Sequence, residues 1–111
     1  MSGARHRRKG NRVERELVAY LRERGFAAER IPLSGSAGGS FSGDITIPLL
    51  GRDFVGEVKV RGNGFGRLYS WLAHRALLVV RADRREPLVI VPLKLAADIA
   101  AAAAHKKAQQ P

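Results

Sequence analysis

No cysteine occurs among the 111 residues, which excludes disulfides and thiolate metal centres. No apolar run reaches the roughly 18 residues of a membrane span. The three histidines, His6, His74 and His105, are too scattered for a histidine metal cluster. Acidic residues are few: ten Asp and Glu stand against twenty Lys and Arg, a formal net charge of +10. That excess favours a polyanionic partner, nucleic acid first. A membrane surface fits less well, because no segment joins a strong apolar face to basic flanks. The basic N-terminus lacks the apolar core of a signal peptide, so a soluble intracellular protein of the cytoplasm or nucleoid is expected. The length suits a single domain with a modest core.

What is present centres on the stretch from Gly43 to Arg61. Apolar residues alternate through Ile45, Ile47 and Leu49, and again through Phe54, Val58 and Val60, as in two strands buried on one face. Leu50-Gly51-Arg52-Asp53 supplies a turn. A hairpin centred between Gly51 and Arg52 sets Asp44 opposite Lys59 and Thr46 opposite Glu57. Pro48 has no N–H for a ladder, so a four-residue loop, which puts it in a non-hydrogen-bonded pair, is preferred. Either way Asp44, Glu57 and Lys59 share the face opposite the apolar one. Two carboxylates sharing a site repel, and a divalent cation between them converts repulsion into ligation. A cross-strand ion pair on a solvated sheet face is the alternative reading.

Before the hairpin, Met1 to Gly10 carries Arg5, Arg7, Arg8 and Lys9 without apolar periodicity and reads as a flexible basic arm (1–10), either lying on phosphates or serving as a solubilising tail. A helix is expected over Arg12–Arg24, capped by Asn11 and ended by Gly25 in a left-handed turn, with Phe26 folding back onto it. Glu14 borders the apolar face, and it also sits three residues after the cap, where a capping box places a Glu. Phe26–Leu33 reads as a short strand. The small-residue loop from Ser34 to Gly43 lets a backbone approach a phosphodiester closely, with Ser34 or Ser36 donating.

After the hairpin, Arg67–His74 reads as a short helix with Leu68, Trp71 and Leu72 toward the core. Ala76–Val80 and Leu88–Val91 read as strands buried on both faces. Leu93–Ala108 reads as a helix. Residues 11–111 are thus expected to form one domain in the order α-β-β-β-α-β-β-α.

Arg8-Lys9-Gly10 ahead of Glu14, Gly25-Phe26, Ser34-Gly35-Ser36 ahead of Asp44, and Glu57-Val58-Lys59 form an ordered set. The combination resembles the PD-(D/E)xK nuclease superfamily and, within it, the archaeal-type Holliday junction resolvases, over about Arg8 to Arg61. The resemblance implies a restriction-endonuclease-like α/β fold with a central mixed sheet of about five strands flanked by helices. It implies Mg²⁺ or Mn²⁺ held by Asp44, Glu57, the Val58 carbonyl and Glu14. Lys59 and Ser34 join Glu14, Asp44 and Glu57 as catalytic residues. The expected DNA contacts are Arg5, Arg7, Arg8, Lys9, Arg30, Ser34, Ser36 and Arg61. A homodimer nicking four-way junctions in pairs is implied, with no membrane and no small-molecule cofactor. Gly43 stands where the family has proline, and the glutamine many relatives carry on the next helix has no counterpart. The residues also admit a nuclease of this fold acting on other branched or duplex DNA, and a non-catalytic basic DNA-binding protein.

Overall fold

Residues 2–31 and 41–108 are described by the computed structural model of the chain. They follow the order α1 (Ser2–Glu23), β1 (Glu29–Arg30), β2 (Phe41–Leu49), β3 (Arg52–Val60), α2 (Gly66–Leu72), β4 (Leu78–Val80), β5 (Leu88–Ile90), α3 (Leu93–Ala108). This is the expected mixed α/β order. The expected single five-stranded sheet is not formed. Among the described residues the strands make two separate antiparallel sheets, β1-β2-β3 and β4-β5. The chain divides into two compact units, Met1–Gly62 and Asn63–Pro111.

In the first unit, α1 starts at Ser2 rather than at Arg12 and runs for 22 residues, about 33 Å at 1.5 Å per residue. The expected start overweighted Gly10-Asn11. A glycine inside a helix costs only about 1 kcal/mol relative to alanine, while the flanking alanine, arginines and lysine are good helix formers. Asn11 therefore does not cap a helix. Its Oδ1 accepts a hydrogen bond from Arg30 Nη2 at 3.0 Å. The C-terminal end is as expected: Gly25 is left-handed at φ 95°. Phe26 N donates to Leu21 O at 2.9 Å and Gly25 N to Arg22 O at 3.0 Å, the paired bonds of a Schellman motif.

The β2–β3 hairpin closes on a tighter turn than expected. Leu49 pairs with Arg52, leaving only Leu50 and Gly51 in the turn, both at positive φ (51° and 80°). Positive φ at both central residues defines a type I′ turn, whose twist matches that of the strands. Relative to the expected register, every partner shifts by two residues, so each side chain keeps its face. Pro48 now pairs with Asp53, one step from the hydrogen-bonded closing pair. It therefore occupies the non-hydrogen-bonded site its missing N–H requires. Ile45 and Val58 are buried with Val18, Leu21 and Ala28, and Ile47, Val60, Leu17, Tyr20 and Phe26 pack around them. One sheet face thus lies against α1, leaving the other to chemistry. Strand β1 is only two residues, against the expected Phe26–Leu33, and pairs with Ile45 and Thr46 of β2.

In the second unit, β4 and β5 pair only with each other among the described residues. The intervening turn folds one directly back on the other, so a hairpin replaces the expected buried strands. Val79, Leu88 and Val89 are exposed. Helix α2 turns Leu68 and Leu72 inward but leaves Trp71 54% exposed, correcting its expected core position. Helix α3 spans the expected residues, buries Ala97 and carries a Lys94–Asp98 pair at 3.1 Å.

Candidate functional site

Asp44 is placed by strands on both sides. Its carbonyl accepts a hydrogen bond from Ile31 N at 3.1 Å, so its backbone polar groups point toward β1 and away from β3. It directly faces Glu57, and the pair is consequently of the non-hydrogen-bonded kind, with Cα atoms about 4.5 Å apart and side chains at their closest. The slipped register thus brings the two acids closer than the expected one, which separated them by a strand step. Lys59 Nζ lies 3.2 Å from Glu57 Oε1, with both side chains about half exposed. All three occupy the sheet face away from α1.

Directly opposed like charges destabilise a ladder, and a cation between them removes that cost. Two hard carboxylate oxygen donors held side by side, Glu57 about half exposed, are what a small divalent cation binds. The donor set therefore fits a divalent metal. The Val58 carbonyl is shared with the ladder. The pairing of Val58 with Gly43 is a hydrogen-bonded one by the same alternation, so the ladder takes one lone pair of its carbonyl.

Glu14 is not brought to this group. Among the described residues no cluster of three or more Asp, Glu, His or Cys is arranged to hold a metal. Glu14 projects from α1 toward the opposite sheet face, where its side chain is fully buried. Arg30 pairs with Ile45 and so faces α1, where its Nε donates to Glu14 Oε1 at 2.5 Å. Glu14 Oε2 has no hydrogen-bond partner among the described residues. The guanidinium expected on DNA is thus occupied by Glu14 and Asn11.

The expected basic residues fare differently. Arg5, Arg8 and Lys9 are exposed and line a shallow depression along α1 together with Asn11, Arg12 and Arg15. Arg12 and Arg15 were not among the expected DNA contacts. The signal was present as arginines at 5, 8, 12 and 15, the spacing of one helix side, but it is readable only if the helix continues through Gly10. No acid among the described residues lines the depression, and the Arg12–Glu16 contact beside it is long (3.8 Å) and exposed. Arg61 is exposed just beyond β3. Arg7 lies within α1. Ser34 and Ser36 lie outside the described residues.

No helix among the described residues is long and apolar enough to cross a membrane. No solved structure matches the chain. The family model described as archaeal Holliday junction resolvase (hjc) matches residues 5–69, more than half of the chain and nearly the whole of the first unit. The chain belongs to that family. It is a Holliday junction resolvase, a metal-dependent endonuclease acting on DNA junctions in recombination and repair.

Proposed function

We propose that this resolvase holds Mg²⁺ or Mn²⁺ between Asp44 and Glu57 and cuts the phosphodiester lying on the exposed face of the β2–β3 hairpin. The observation that carries the reading is the direct cross-strand opposition of those two carboxylates, with Lys59 beside them. When bound, the cation lowers the pKa of water and offsets charge on the phosphate under attack. Asp44 and Glu57 fix its position from rigid strands, one on each side of the ladder. Lys59, tethered by Glu57, presents N–H donors that orient the attacking water and stabilise charge developing on the phosphate oxygens. Val58 contributes its second carbonyl lone pair. Ser34 keeps the assisting role that the resemblance assigns it.

Glu14 has a different part in this reading. Buried on the far side of the sheet and paired with Arg30, it anchors α1 to β1 and thereby sets the height of Asp44, whose carbonyl is held by the residue after Arg30. Arg5, Arg8, Lys9, Arg12 and Arg15 track the phosphate backbone along α1, and Arg7 and Arg61 are further phosphate contacts in this reading. Their contacts are to phosphates, so they position the DNA without reading its sequence.

Resolving a junction into intact duplexes needs two strands of like polarity to be cut, and one chain carries one such carboxylate pair. The active species in this reading is a twofold homodimer making paired nicks. The experiment incubates the protein and Mg²⁺ with a labelled immobile four-way junction, the matching linear duplex and a nicked duplex. Symmetric paired nicks confined to the junction support the reading. Equal cutting of all three overturns the paired mechanism, and junction binding without cutting under Mg²⁺ and Mn²⁺ overturns the catalytic assignment.

A further inference from the structure

Beyond the depression along the N-terminal half of α1 lies a second one, and Arg15 is common to the two. The second is bounded by Arg15, Val18, Ala19 and Arg22 of α1 and by Glu29 and Arg30 of β1. Arg8, Arg15 and Arg22 recur at every seventh residue, so they stand almost in line along the helix, drifting only about 20° per heptad. At 1.5 Å per residue, about 21 Å separates the first from the last. Between Arg15 and Arg22 the same side of the helix carries only the small side chain of Ala19, which leaves the floor of the depression open.

Arg22 is exposed, and its Nε donates to Ala28 O at 2.8 Å. That bond uses one guanidinium donor and holds the planar fork in place, so less freedom is lost when the remaining donors meet a ligand. Arg30 adds little here, because Glu14 and Asn11 take its Nε and Nη2. Glu29 is exposed and is the one acid among the described residues that line the depression. With Arg30 matched by Glu14, Arg15 and Arg22 outnumber Glu29. The two arginines are about 10.5 Å apart along the helix. A compact anion reaches one of them, whereas a chain of phosphates supplies a charge to each. A straight row of this length laid across a duplex would leave its ends off the curved surface, and laid along the duplex it keeps every arginine near a phosphate.

We propose that Arg22 is a further phosphate contact at the depression it shares with Arg15, and that α1 lies lengthwise along one arm of the DNA junction. The proposal rests on the junction reading above and deepens it by fixing how an arm is held. A duplex rises about 3.4 Å per base pair, so the row from Arg8 to Arg22 follows about six base pairs of that arm. Glu29 opposes the contact through its like charge with the phosphates.

The test measures binding by anisotropy across a salt series, without divalent metal so that no cutting occurs. The probes are immobile four-way junctions whose hairpin-capped arms are shortened together, one base pair at a time. On the long-armed junction, Arg8→Gln and Arg22→Gln should each lower the slope of log K against log salt by about 0.9. As the arms shorten, the two effects should vanish at arm lengths about six base pairs apart. Glu29→Gln should tighten binding to the long-armed junction, and its effect should vanish at the same arm length as that of Arg22→Gln. This second variant keeps the Arg22–Ala28 bond and so separates the contact from any loss of folding. A wild-type slope for Arg22→Gln on every arm length overturns the contact. Weaker binding by Arg22→Gln with no effect of Glu29→Gln also overturns it, assigning Arg22 to holding the end of α1. Effects of Arg8→Gln and Arg22→Gln that vanish at one and the same arm length overturn the lengthwise placement. All three leave the resolvase reading standing, because paired nicking of the long-armed junction by the wild-type protein in Mg²⁺ tests that reading separately.

Discussion

Asp44 on β2 and Glu57 on β3 face each other directly across the ladder, in a pair from which the backbone hydrogen bonds are absent. That placement follows from a turn six residues away. With Leu50 and Gly51 alone in the turn, the closing pair is Leu49–Arg52, and counting back one pair at a time alternates bonded and non-bonded pairs until Asp44 is reached in a non-bonded one. A turn one residue longer would set Glu57 on the wrong face. The geometry of the acidic pair is thus governed by a solvent-exposed turn.

The turn therefore provides a first test. Leu50 is left-handed at φ 51° and 70% exposed, and this conformation costs a residue with a Cβ about 1–2 kcal/mol. Leu50→Asn creates Asn-Gly, the preferred type I′ pair. A gain of about 1 kcal/mol is expected, raising the thermal midpoint by roughly 4–8 °C. An unchanged or lower midpoint contradicts the two-residue turn and the register derived from it.

A second test concerns the buried acid. Arg30→Met leaves the Glu14 carboxylate buried without its cation, which typically costs about 3–5 kcal/mol. The lower end is expected here, because Arg30 is 37% exposed and its loss admits water. Glu14→Gln in the same chain should recover most of the loss. Urea denaturation of both single variants and the double variant measures the coupling. Additive losses would mean that the two side chains do not depend on one another.

The basic side of α1 makes a quantitative prediction. If Arg5, Arg8, Arg12 and Arg15 contact phosphates, each replacement by Gln reduces the slope of log K against log salt by about 0.9. The pair Arg12→Gln/Arg15→Gln is then expected to lower the slope by about 1.8, as much as Arg5→Gln/Arg8→Gln. A change confined to the latter pair would reduce the DNA surface to the N-terminal turns alone.

The parts legible in the sequence were those set by local period and by backbone chemistry. The alternation of Ile45, Ile47, Val58 and Val60 fixed which sheet face meets the helix, and Gly25 fixed where α1 ends. The face shared by Asp44, Glu57 and Lys59 survived a register shift because the shift was by two. What was not legible depended on distant partners. Nothing near Glu14 in the chain announces Arg30, sixteen residues on, so a capping or metal role was the natural reading of a helix acid. The run Leu77 to Val80 is as apolar as a buried parallel strand, yet it pairs in a short hairpin with exposed sides. Trp71 lies about 60° round α2 from Leu68 and about 100° from Leu72, at the edge of the apolar stripe, where period alone does not decide burial. In the structure Leu68 and Leu72 take the inward side and Trp71 is left 54% exposed.

The central claim, that Asp44 and Glu57 together hold the cation that cuts the junction, is tested most directly by single-turnover cleavage. The substrate is the immobile four-way junction at saturating protein, with Asp44→Asn and Glu57→Gln compared against wild type in Mg²⁺ and Mn²⁺. Each substitution preserves shape and removes one charged ligand, so a rate loss on the order of 10³-fold or more is expected, equivalent to about 4 kcal/mol of transition-state stabilisation. Junction affinity measured without metal should stay near wild type. Cleavage by either variant at close to the wild-type rate would contradict the account.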